Sequence, residues 1–159
     1  SGEVLGATWD EFDLETGIWI VPAERMKAKE LHRVPLSKSA HSIVKALHEL
    51  RTSEFVFPGG VRGKALSNMA FAKLMERMKV NDATSHGFRS AFRDWVGDET
   101  HFSRDVAEQA LAHRVGDATE RAYRRGDALE KRRDLMEAWA NFCDTNADDN
   151  VIRLRQPGA

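Results

Sequence analysis

The sequence predicts an α+β domain: a small three-stranded antiparallel sheet followed by a mainly α-helical bundle. Three observations carry that expectation. Short β-like runs separated by turn residues fill the chain up to Leu36, and apolar residues recur at helical spacing from Ser37 onward. The chain's 159 residues, 42% of them hydrophobic, are the length and composition of one domain with a core of its own.

The first strand is expected over Ala7 to Leu14, which contains Trp9 and Phe12, the second over Gly17 to Val21 and the third over His32 to Leu36. Glu15-Thr16-Gly17 and the polar stretch Glu24 to Glu30 break these runs. Ser37 can cap a first helix carrying Ile43, Val44, Leu47 and Leu50, which ends before Phe55-Val56-Phe57-Pro58-Gly59-Gly60. Ser67 can cap a second, with Met69, Phe71, Leu74, Met75 and Met78 on its apolar side, and Ser85 a third with Phe88, Phe92 and Trp95. Further helices are expected from about Arg104, about Ala118 and about Ala128. The last of these carries Leu129, Leu135, Met136, Trp139 and Phe142, a stripe that either packs on its own domain or enters a neighbouring protomer. The domain is expected over residues 1–145, followed by a flexible polar tail over 146–159.

Composition excludes several function classes. The single cysteine, Cys143, permits no internal disulfide and no multi-cysteine zinc site, which fits a reducing compartment. No apolar run is long enough to cross a bilayer, and Ser1 to Trp9 lack the pattern of a secretory signal. Two of the six histidines, His41 and His48, lie two helical turns apart, and no His-Glu-x-x-His spacing occurs, so no metal is expected. A Gly-rich phosphate loop and a Gly-x-Ser-x-Gly elbow are both absent, and no cofactor is expected.

The net charge of -1 gives no support for a nucleic-acid partner. The distribution of charge is more informative: Lys27, Lys29 and Arg33 cluster early, and Arg114, Arg121, Arg124 and Arg125 surround Tyr123. Acidic residues gather instead near Asp10 to Asp13 and at Asp144, Asp148 and Asp149. A basic face on a neutral domain is compatible with this pattern, as are ordinary solvated charges.

The most informative stretch is Ser85-His86-Gly87-Phe88-Arg89, with His113 and Tyr123 following. His86 and Arg89 share a helix face, and a later helical segment could return a second histidine and a tyrosine to it. A phenol nucleophile beside cationic donors is what phosphodiester chemistry needs, because the phosphoryl oxygens gain charge and an alkoxide must leave. Taken singly, each residue has a plainer reading. Tyr123 could be a packing residue with a wet hydroxyl, His113 a helix C-cap, and Arg89 a surface partner of Asp94 or Glu99.

In order, these motifs resemble the catalytic domain of a tyrosine recombinase, in particular of prophage and genomic-island integrases. Gly2-Glu3-Val4-Leu5-Gly6-Ala7-Thr8-Trp9 is similar to the family's first motif, and Lys27 to Leu36, ending Val34-Pro35-Leu36, to its catalytic-lysine hairpin. His86-Gly87-Phe88-Arg89 resembles the histidine-x-x-arginine box, Leu111-Ala112-His113 the second histidine motif, and Ala122-Tyr123-Arg124-Arg125 the nucleophile segment. The likeness runs from Ser1 to about Phe142. The family's first arginine is expected immediately before Ser1, and no arginine occurs in the chain before Arg25, so a chain beginning at Ser1 is expected to be impaired as a catalyst.

The resemblance implies roles. Tyr123 would be the nucleophile, Arg89 the clamp on the non-bridging oxygens, and His113 a hydrogen-bond donor to the phosphoryl group. His86 would support the tyrosine, and Lys27, preferred to Lys29 for its spacing to Pro35, would protonate the leaving 5′ oxygen. Glu3 would buttress the arginine motif. Lys29, Arg33, Arg121, Arg124 and Arg125 would contact DNA. The product would be a 3′-phosphotyrosine with a free 5′ hydroxyl, reversible without metal or ATP. The implied partners are double-stranded DNA at attachment sites, a homotetramer assembled on DNA from monomers, and accessory DNA-bending or excisionase proteins. The implied location is the bacterial cytoplasm, at the nucleoid when DNA is bound. A type IB topoisomerase-like relaxase and a non-catalytic DNA-binding or assembly module remain as alternatives.

Overall fold

The computed structural model describes residues 2–84, 86–113 and 126–147. A one-turn helix α1 (Gly2–Leu5) leads through a 3₁₀ turn at Trp9–Glu11 into strands β1 (Phe12–Asp13), β2 (Ile18–Val21) and β3 (His32–Pro35). They form an antiparallel sheet in the order β1-β2-β3, with Phe12 opposite Trp19 and Trp19 opposite Val34. This is the expected sheet with a much shorter first strand. Ala7 and Trp9 bond instead to the chain at Glu54 and Val56, and the 3₁₀ turn brings Glu11 inward, ending the extended run.

The β1–β2 turn is built by Asp13, whose Oδ1 accepts from the backbone N–H groups of Glu15 and Thr16 at 3.0 Å each. Gly17 closes it at φ +67°, a conformation glycine adopts without steric cost. Strand alternation then buries Trp19 and Val21, which form a core with Ala7, Met26 and Val56. Phe12 stacks on Trp19 at 5.4 Å across the pair.

Helix α2 (Lys38–Glu49) begins as the sequence predicts, with Ser37 Oγ accepting from Ala40 N–H at 3.3 Å. Its buried stripe is narrower than expected: Val44 is enclosed, whereas Ile43 and Leu50 are exposed. Helix α3 (Ala70–Arg77) starts three residues after Ser67, whose carbonyl receives the Ala70 N–H. Helix α4 (Gly87–Glu99) has Thr84 Oγ1 on the Gly87 N–H at 3.0 Å, the kind of cap expected of Ser85, which lies outside the described residues.

Helices α5 (Arg104–Ala110) and α6 (Leu129–Ala147) complete the bundle. The helix expected from about Ala118 lies outside the described residues. So does most of the expected tail, although α6 runs past its expected start at Asn146. A second core joins α4, α5 and α6 through Phe92, Val96, Val106, Ala107 and Leu135. Trp139 packs edge-on to Phe92 at 5.4 Å, so much of the α6 stripe is spent within its own domain. Among the described residues, no helix is long and apolar enough to cross a membrane.

Candidate active site

Arg89 and His113 meet where α4 and α5 pack together. Helix α5 ends in a Schellman motif: His113 N–H reaches the Glu108 carbonyl at 2.8 Å and Ala112 N–H the Gln109 carbonyl at 3.1 Å. Ala112 supplies the left-handed residue at φ +56°, a conformation that costs an L-residue about 1 kcal/mol. The turn is held from both sides, because Leu111 packs on the helical core and Ala112 on the sheet core. His113 is thus projected from the junction of the two cores.

Arg89, in the first turn of α4, uses one nitrogen to read that turn. Its Nη2 donates to the Leu111 carbonyl at 2.6 Å and lies 2.9 Å from His113 Nε2. On the far side of the ring, His113 Nδ1 is 2.5 Å from Glu108 Oε2. A guanidinium only donates and a carboxylate only accepts, so the ring carries its proton on Nδ1 and accepts at Nε2. Nη1 and Nε of Arg89 bond to no other described residue, which leaves two donor nitrogens for an oxyanion.

Glu108 also receives Arg93 Nε at 2.7 Å, one turn along α4 from Arg89, with Arg104 at 3.9 Å. The His113 hydrogen bond, aided by Arg93 against the opposing effect of partial burial, holds its carboxyl below the usual range. Glu108 belongs to no motif in the sequence. Its signal was a carboxylate on the last turn of a helix that ends in a candidate site histidine.

A second network holds the start of α6. Asp127 receives Arg33 in bidentate fashion at 2.9 and 2.7 Å, and Arg132 Nη2 at 2.7 Å. Arg132, almost wholly buried, also donates to the carbonyls of Asp127 and Arg33. Burial of Asp127 favours its neutral form, but the Arg33 bonds and the Arg132 charge outweigh it, so its carboxyl stays low. Arg33, expected on DNA, therefore commits its fork to Asp127. Beside it His32 is kept below the ordinary imidazole range by burial first and the Arg132 charge second.

Lys27 lies exposed between β2 and β3, and its side chain makes no bond to another described residue. Lys29, at φ +56°, reaches back to the Glu24 carbonyl at 3.3 Å. His86 sits exposed at the start of α4, one turn before Arg89. The Glu3 carbonyl accepts from Arg25, whose guanidinium also pairs with the buried Glu11; Trp19 Nε1 donates to the same carboxylate at 2.8 Å. Tyr123, Arg121, Arg124 and Arg125 lie outside the described residues. Among the described residues, no group of three or more histidine, cysteine or acidic side chains is arranged to hold a metal ion.

Residues 1–130 match the model of the phage integrase family. The chain is 36% identical to Prophage integrase IntA of Escherichia coli (strain K12), over 94% of this chain and 37% of that protein. It is 32% identical to the integrase of Enterobacteria phage P4 over 95% of this chain and 38% of the relative, and 30% identical to that of Shigella phage Sf6 over 89% and 38%. The chain spans less than two-fifths of the length of these relatives. No solved structure matches it with significance. The sheet-then-helices layout and the extent of these matches make the chain a tyrosine recombinase domain of the phage integrase family.

Proposed function

We propose that this domain cleaves and rejoins DNA in site-specific integration, through a 3′-phosphotyrosyl intermediate on Tyr123. The observation that carries the reading is the Arg89–His113 pair, brought to 2.9 Å from two helices with two guanidinium nitrogens to spare. A planar fork suits the paired oxygens of a phosphoryl group, and donors fixed by surrounding bonds need no reorganisation as charge develops.

In this reading Tyr123 Oη attacks phosphorus while Arg89 binds the non-bridging oxygens, with His113 alongside. His86 assists the tyrosine. Lys27 delivers a proton to the departing 5′ oxygen, a role suited to an ammonium in an exposed hairpin with no described partner. The phosphotyrosine preserves the energy of the broken bond, so attack by a second 5′ hydroxyl reseals DNA and frees the tyrosine. Lys29, Arg121, Arg124 and Arg125 would add backbone contacts, with Arg33 ordering α6 instead. Double-stranded attachment-site DNA is the substrate, and a tetramer assembled on it is the exchanging unit.

The test is covalent trapping on a nicked suicide duplex, read on a denaturing gel. It is run on Ser1–Ala159 and on the same chain preceded by the arginine that the resemblance places there. A DNA-linked band lost in Tyr123→Phe supports the reading. DNA binding without any such band would favour a non-catalytic binding module.

A further inference from the structure

We propose that Glu108 is a positioning residue that fixes the tautomer of His113, and so decides whether the ring nitrogen that faces Arg89, where a phosphate would bind, carries a proton. The inference rests on the functional reading above for its catalytic consequence, but not for its geometry.

Glu108 stands between two groups of opposite demand. Arg93 Nε, at 2.7 Å from Oε1, can only donate, while His113 Nδ1, at 2.5 Å from Oε2, can do either. A carboxylate accepts from both, so His113 keeps its proton on Nδ1 and turns an unprotonated Nε2 to Arg89. Nε2 is then the nitrogen that can exchange a proton with a phosphoryl oxygen. For a protonated Nε2 to donate to a phosphoryl oxygen, Arg89 Nη2 must release the ring and keep only the Leu111 carbonyl, while Nδ1–H still holds Glu108.

An amide at position 108 breaks this logic in a defined way. Arg93 forces the amide oxygen toward itself, which leaves the NH₂ group facing Nδ1. His113 must then accept at Nδ1 and carry its proton on Nε2, where it meets the Arg89 Nη2–H donor head-on. Removing Arg93 lets the amide flip, and the ring returns to its original tautomer.

The experiment is ¹⁵N NMR of the imidazole nitrogens in the full chain labelled at histidine, with His113→Gln to assign the signals. Wild type, Glu108→Gln, Arg93→Ala and the double variant are compared, alongside their trapping rates on nicked DNA. The expected pattern is a protonated Nδ1 in wild type, Arg93→Ala and the double variant, and a protonated Nε2 in Glu108→Gln. The trapping rate should fall about a hundredfold in Glu108→Gln and recover in the double variant. A merely structural carboxylate predicts no recovery, since the Arg93 bridge is weakened in Glu108→Gln and absent from the double variant, which would be no better than the poorer single change. A wild-type ring protonated on Nε2, or a ring unmoved by Glu108→Gln, would overturn the proposal. Should Glu108→Gln fold poorly, the wild-type tautomer and that of Glu108→Asp are read instead; Nδ1 must carry the proton in both. The tautomer readout needs no catalysis, so its failure is distinct from the failure of the Tyr123 reading.

Discussion

Arg89 and His113, 24 residues apart in the chain, are joined at 2.9 Å by a hydrogen bond that runs from the α4 guanidinium to the ring at the end of α5. The same Nη2 holds the Leu111 carbonyl, so one side chain fixes both the backbone turn and the ring it presents. Replacing Arg89 by lysine keeps the charge but removes the fork. The trapping rate on nicked DNA should drop about a hundredfold, while stability by urea unfolding should fall by only about 1 kcal/mol, the typical worth of one such bond.

The Ala112 turn should tolerate glycine and reject branching. Ala112→Gly relieves a left-handed alanine but removes a methyl that packs on the sheet core, so the two effects oppose and stability should change by less than about 1 kcal/mol. Ala112→Val adds bulk to a conformation that β-branched residues avoid, and should cost about 2 kcal/mol or more. Urea midpoints of the two variants check this.

The motif order makes the family legible in the sequence, and Ser37, Gly17 and the β2 alternation make the sheet and α2 legible too. The short β1 was not legible, because Thr8 pairs with Phe55, a distant partner that local pattern cannot reveal. Glu108 and Asp127 were missed for a related reason. A surface-type carboxylate looks the same in sequence whether it faces water or bridges two elements, and only the packing of α4 on α5 and of β3 on α6 gives these two their partners. The Arg33–Asp127 pairing was hidden in the same way, because its partner lies 94 residues along the chain.

The Asp127 bridge should matter more than a surface pair. Asp127→Ala leaves the buried Arg132 guanidinium without its carboxylate and cuts the tie from β3 to α6. The expected cost is about 2 kcal/mol, below that of breaking a fully enclosed pair because Asp127 itself is 38% exposed. Arg33→Ala, which spares the Arg132 contact, should cost less than half as much in the same urea titration.

His32 should make stability depend on pH near neutrality. Burial and then the Arg132 charge lower its folded pKa beneath the ordinary 6.5, against the pull of Glu3, the Ala110 carbonyl and Asp127. The unfolded chain therefore binds the proton more readily. The contribution of the neutral ring is complete above 6.5 and is lost as pH falls from there through the folded value. Comparing urea midpoints at about pH 7.5 and about pH 5.5, the wild type should lose stability and His32→Gln should lose distinctly less. Glu108 and Asp127 act in the acid range below, as their carboxyls are held low.

Attack by Tyr123 on the phosphodiester would leave a covalent mark on the protein. The most direct measurement is mass spectrometry of the trapped complex after protease and nuclease digestion, mapping the nucleotide remnant onto a peptide. The expected remnant is linked through its 3′ phosphate to Tyr123, with a free 5′ hydroxyl on the released strand. A remnant on any other residue, or linkage through a 5′ phosphate, would contradict that expectation.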